Sequence, residues 1–157
     1  MLLSPFRVRR IVHLTIVASA LSALAACNDD DPVEPEPEPE VQTMTLTAGT
    51  SSITIDKTTG APSGQLTLPA GTTTITATFK KADGTTETLV TGAEFDVRIS
   101  PATGTPFAWT PNTSLGGTLV TSSGVTSGQT IPSTVDLYHR TEQHADFGPY
   151  NFTIRIQ

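Results

Sequence analysis

In several stretches between position 41 and the end of the chain, apolar residues recur at every second position, and this alternation leaves few fold classes open. Met44, Leu46 and Ala48 alternate with Thr43, Thr45 and Thr47; Ile75, Ala77 and Phe79 alternate with Thr74, Thr76 and Thr78. Phe95, Val97 and Ile99 alternate with Glu94, Asp96 and Arg98, and Phe152, Ile154 and Ile156 with Asn151, Thr153 and Arg155. In a strand, a period of two sends one set of side chains to a core and the other to water. No eleven-residue window carries helical spacing, and Thr, which favours strands, supplies 28 of residues 41–157. The expected fold is all-β: an antiparallel sandwich of two sheets, with a closed barrel as the alternative.

Turn signals place the strands. Gly60-Ala61-Pro62, Pro69-Ala70-Gly71, Asp83-Gly84, Ser100-Pro101, Gly116-Gly117 and Gly148-Pro149 divide the domain. Eight or nine strands are predicted, near 42–48, 52–56, 64–68, 73–80, 86–91, 93–99, 107–110, 117–122, 134–140 and 150–157, the last two taken together. Asp83-Gly84 is the best hairpin turn, because that pair tolerates positive φ. Glu87 and Glu94 are expected to face solvent on neighbouring strands, and Trp109 to belong to the core.

The N-terminal region has a different logic. Arg7, Arg9 and Arg10 precede an apolar run over residues 11–26, too short to cross a hydrocarbon core, which takes about 20 residues. The run closes on small residues and turns abruptly polar at Asn28, Asp29, Asp30 and Asp31, the pattern of an export signal. Residues 28–40, NDDDPVEPEPEPE, carry three Asp and four Glu with no base, and only Val33 is apolar. Such a segment cannot build a core; extended as polyproline II it reaches about 40 Å. The organisation read here is a signal peptide over residues 1–26, a disordered acidic Pro/Glu linker over 27–40 and one β domain over 41–157. Six cationic against eight acidic residues leave that domain at −2, while the linker alone carries −7.

Leu24-Ala25-Ala26-Cys27 resembles the lipobox of bacterial lipoproteins. The resemblance implies cleavage before Cys27, diacylation of its thiol and acylation of the new amine. Two or three chains on one residue anchor almost permanently, since each buried methylene contributes about 0.8 kcal/mol. Asn28 after the cysteine favours the outer over the inner membrane under the enterobacterial sorting rule, with the domain in the periplasm or at the cell surface. The strand layout, including ITATFKKADG at residues 75–84 and the closing strand at 150–156, is similar to the immunoglobulin-like domains of bacterial surface proteins. The cysteine pair of antibody-type domains is absent.

Function classes narrow accordingly. Nine Lys and Arg against fifteen Asp and Glu give no basic surface for nucleic acid. A single Cys excludes internal disulfides and multi-cysteine metal sites. No Gly-x-Ser-x-Gly elbow or phosphate-cradling glycine loop occurs, so the chain is read as non-catalytic. Its expected role is a lipid-anchored envelope module whose partners are the membrane, through Cys27, and an envelope protein or glycan. Chemistry concentrates in DLYHRTEQHADFGPY at residues 136–150. His139, His144 and Asp146 are the candidate ligands there for zinc or copper, His139 at the end of a strand's core face and the other two in a loop. In the competing reading His139 caps the core edge, and His144 and Asp146 hold the Gly148-Pro149 turn.

Overall fold

A computed structural model describes residues 37–157 apart from Thr105. The expected signal peptide, Cys27 and most of the expected acidic linker lie outside the described residues. Nine strands follow in order: β1 (Thr43–Ala48), β2 (Ser51–Asp56), β3 (Leu66–Leu68), β4 (Thr72–Lys80), β5 (Phe95–Pro101), β6 (Phe107–Asn112), β7 (Gly116–Thr121), β8 (Thr130–His139) and β9 (His144–Ile156). They form two sheets, β2-β1-β4-β7-β6 and β3-β9-β8-β5. Every pairing is antiparallel except β3 with β9. The domain is all-β, and neither sheet closes into a barrel.

The alternation read from the sequence is the sandwich's inside and outside. Met44, Leu46, Ile53, Ile55, Ile75 and Leu119 of the first sheet are fully buried, as are Leu66, Leu68, Val135, Leu137, Ile154 and Ile156 of the second. Each such side chain contributes about 1.5–3 kcal/mol relative to exposure. The threonines between them form the outer face of the first sheet, where Thr45 stands opposite Thr54 on one side and Thr78 on the other. The Thr45 and Thr54 hydroxyls are 2.9 Å apart. Trp109 is half-buried against the core, and its Nε1–H donates to the Val97 carbonyl at 2.8 Å, joining β6 of one sheet to β5 of the other. Gly117 makes room for the indole: a Cβ there would stand 2.6 Å from the ring.

Three expectations are corrected. Residues 86–91 do not form a strand. The Asp83-Gly84 turn does reverse the chain, with the Asp83 carboxylate accepting from the Thr85 N–H and hydroxyl, but pairing stops at the Lys80–Thr86 bridge. Glu87, expected in solvent, is instead only 3 % exposed. Its carboxylate accepts the Leu89 N–H at 2.9 Å and the Glu40 N–H at 2.8 Å, with the Lys81 ammonium at 3.7 Å. Once pairing ends, an amide of the loop (Leu89) and one from the segment before β1 (Glu40) satisfy a buried charge. Glu94 is exposed, as expected, but in a turn.

The third correction concerns the C-terminal strand, which begins at His144, not near 150, and runs through Gly148-Pro149. Its register against β8 shifts between Val135 and Leu137 and again at Tyr138. A bulge accommodates a proline that has no N–H for the ladder. Gly148 sits there with φ 94°, and a Cβ on it would approach the Val135 carbonyl to 2.7 Å.

Candidate metal centre at the β8–β9 hairpin

Because β9 starts at His144, the connection from β8 is a four-residue loop, Arg140 to Gln143, and His139 and His144 become its closing pair. The Gln143 N–H donates to the His139 carbonyl at 2.9 Å, and Gln143 takes the left-handed conformation, φ 59°, that a loop this tight requires. Thus the two histidines, five positions apart in sequence, are cross-strand neighbours.

Each side chain is held differently. His139 stands opposite Phe95 on β5 and stacks on that ring, centroids 4.5 Å apart and planes 22° from parallel. The His144 ring meets His139 edge-on at 6.0 Å and is half-exposed. Glu142, at the loop tip, brings Oε2 to 3.6 Å from His139 Nδ1 and 3.5 Å from His144 Nδ1. The ligand atoms of His139, Glu142 and His144 all lie within 4.8 Å of one another.

Asp146 is placed elsewhere. Its Oδ1 is 2.6 Å from His144 Nε2, on the far side of the ring from Glu142. This buried oxygen receives no hydrogen bond among the described residues. The Asp146 carbonyl accepts from Lys57 Nζ at 3.3 Å. Neither His144 nor Asp146 bonds to Gly148-Pro149 among the described residues. The expected trio of His139, His144 and Asp146 is therefore divided: the histidines meet, Asp146 backs one of them, and Glu142 completes the cluster. Sequence reasoning missed Glu142 because it started the last strand near 150. Pairing 139 with 144 would have put 142 over both rings.

Arg140 fixes the hairpin tip against β5. Its guanidinium makes a two-pronged contact with Asp96, Nε to Oδ2 at 2.8 Å and Nη2 to Oδ1 at 2.7 Å, and donates to the carbonyls of Gly92, Ala93 and Phe95. The Arg140 hydrogen bonds hold the Asp96 carboxyl below the usual carboxylate range; burial opposes this, and the charges of Arg140 and Arg98 assist. On the outer face, Arg98 pairs with Asp136 at 2.7 Å and 3.1 Å and lies 3.7 Å over the Tyr138 ring. A fork so fully used is a strut holding the loop.

Two imidazoles and a carboxylate are the donor set of borderline divalent ions, whereas magnesium and calcium take oxygen-rich sets. Comparison with known proteins returns no match to any family model, any curated protein or any solved structure.

Proposed function

We propose that this chain is a lipid-anchored envelope protein whose immunoglobulin-like β domain acts as a non-catalytic binding or structural module in the periplasm or at the cell surface. The observation that carries the reading is the run from Arg7 through Leu24-Ala25-Ala26-Cys27 into an acidic linker that leads directly to the β domain. The strand order supports the immunoglobulin-like part. β1-β4-β7-β6 facing β5-β8-β9 follows the ABED and CFG sheets of such domains. In that correspondence the third core strand, β5, carries Phe95, Val97 and Ile99, and Trp109 belongs to the fourth, so the indole is not the core tryptophan of antibody domains.

Mass spectrometry of the protein taken from native membranes tests the anchor. The reading expects a mature N-terminus at an acylated Cys27, and a Cys27→Ser variant that leaves the membrane fraction. A full-length chain with a bare thiol refutes it. A second reading, a module that handles zinc or copper, is favoured by the convergence of His139, Glu142 and His144 at the hairpin tip.

A further inference from the structure

We infer that the β8–β9 hairpin binds a borderline divalent ion, zinc or copper(II), through His139 Nδ1, Glu142 Oε2 and His144 Nδ1, with Asp146 as the carboxylate that orients His144 from behind. The inference rests on the metal-handling reading and specifies its ligands.

Geometry is the first support. Bonds of 2.0–2.1 Å in a tetrahedral site separate donor atoms by about 3.3–3.4 Å. The two separations through Glu142 are 3.6 Å and 3.5 Å, already within a few tenths of that edge. The third edge, between the imidazole nitrogens, lies within 4.8 Å and has to shorten on binding, for which the half-exposed His144 side chain leaves room. None of the three donor atoms is committed to a hydrogen bond among the described residues, so their lone pairs are available.

The second support is Asp146, an independent residue on a different part of the strand. Asp146 Oδ1 stands 2.6 Å from Nε2 as a buried oxygen that still lacks a hydrogen bond, and a turn of the His144 ring that aligned the Nε2–H with it would leave Nδ1, facing Glu142, as the lone-pair donor. Metal-bound imidazoles almost always give their other N–H to such an acceptor, which fixes tautomer and ring direction. As a ligand, by contrast, Asp146 would have to reach an ion from the opposite side of the ring. Stacking on Phe95 and the Arg140 strut preorganise the remaining partners, so binding orders little beyond Glu142 and His144. Three protein ligands leave a coordination position to water or a partner's donor, as in exchangeable sites rather than closed structural ones.

The test uses the full-length chain, purified without a polyhistidine tag, with zinc affinity measured against a chromophoric chelator for wild type, Glu142→Gln and Asp146→Asn. The ligating nitrogen of His144 is read by nitrogen-15 NMR. Saturable 1:1 zinc binding is expected, with a metal-dependent shift at His144 Nδ1. Glu142→Gln should weaken binding more than a hundredfold, and Asp146→Asn by about 10–100-fold, the range for removing an orienting partner. If wild type binds no zinc and gives no copper(II) signal with nitrogen hyperfine splitting, the metal reading falls with the inference. Binding that persists unchanged in Glu142→Gln, or a shift at Nε2, overturns this ligand set and leaves metal binding itself intact.

Discussion

Replacing Glu87 with Gln keeps the shape of a buried side chain and removes its charge. The carboxylate accepts two backbone N–H bonds, from Leu89 and Glu40, and its side chain is shielded from solvent beside Lys81. A hydrogen bond to a charged acceptor contributes about 1.5–3 kcal/mol. The amide still accepts one N–H through its oxygen, while its NH2 faces either the second donor or the ammonium. The expected loss is one charge-assisted bond, about 2 kcal/mol at pH 7, or roughly 8 °C in Tm for a domain of this size. The sign with pH follows from the environment. Burial pushes the Glu87 carboxyl up, but the Leu89 and Glu40 N–H groups and the Lys81 charge outweigh it, and the net shift is downward. Its stabilisation is therefore complete above 4.5, the ordinary value for this group, and is lost as pH falls through the folded-state value. Urea unfolding of wild type and Glu87→Gln at several pH values between 7 and 3 measures the gap, and carboxylates common to both proteins cancel in it. The gap should be widest at pH 7 and close progressively below about pH 4.5. A gap that stays constant down to pH 3, or none at pH 7, refutes the assignment.

Three further substitutions probe backbone and packing. Gly92→Ala would place a Cβ 1.7 Å from the Thr113 carbonyl oxygen, so chemical denaturation should show a loss of about 3 kcal/mol. Gln143→Gly removes the left-handed strain at the hairpin tip and should raise stability by up to about 1 kcal/mol without altering the fold, as read by denaturation and NMR shifts. Trp109→Phe deprives the Val97 carbonyl of its indole donor and should cost about 1–2 kcal/mol, with faster hydrogen exchange along β5 and β6.

How far the sequence predicted these features depended on what set them. Strands such as β1, β4 and β5 were legible because a single buried face imposes strict alternation, and Phe95, Val97 and Ile99 follow it without a break. Residues 86–91 look similar on paper, and what defeats them is a tertiary event: Glu87 turns inward to meet amides from Glu40 and Leu89, 47 and 2 residues away. Gly148-Pro149 reads as a turn because the local signal is strong, yet a two-strand bulge absorbs it without ending β9. That one misplaced boundary also hid Glu142, since the hairpin's closing pair decides which loop residue overlies the histidines. The site's residue types were visible; its geometry depended on register.

The domain's near-neutral total conceals a division that bears on how it comes apart. The turns at 49–50, 69–71, 102–104 and 122–129 contain no charged residue, and all lie at one end of the sandwich. The opposite end gathers Lys57, Lys81, Asp83, Glu87, Glu94, Arg140 and Glu142 in its loops, with Asp56, Asp96 and Asp146 at or near adjoining strand ends. Among the described residues, every carboxylate whose titration is lowered belongs to that end: Asp56 through Gln42 and the Thr58 amide, Asp83 through Thr85, Glu87 through its amides against burial, Asp96 through Arg140. Each contributes stability above its ordinary value that is lost as pH falls through the folded one, so acid should loosen the charged end before the core. Hydrogen exchange, corrected for intrinsic rate, measures this at single amides between pH 6 and pH 3. The Glu87, Phe95 and Gln143 amides, bonded to Phe79, Thr91 and His139, should lose more protection than the Ala102 and Thr121 amides, bonded to Pro132 and Gly71. Equal losses at both ends would mean that acid acts only through global unfolding, and the carboxylates would then stabilise the whole sandwich rather than the loops that hold them.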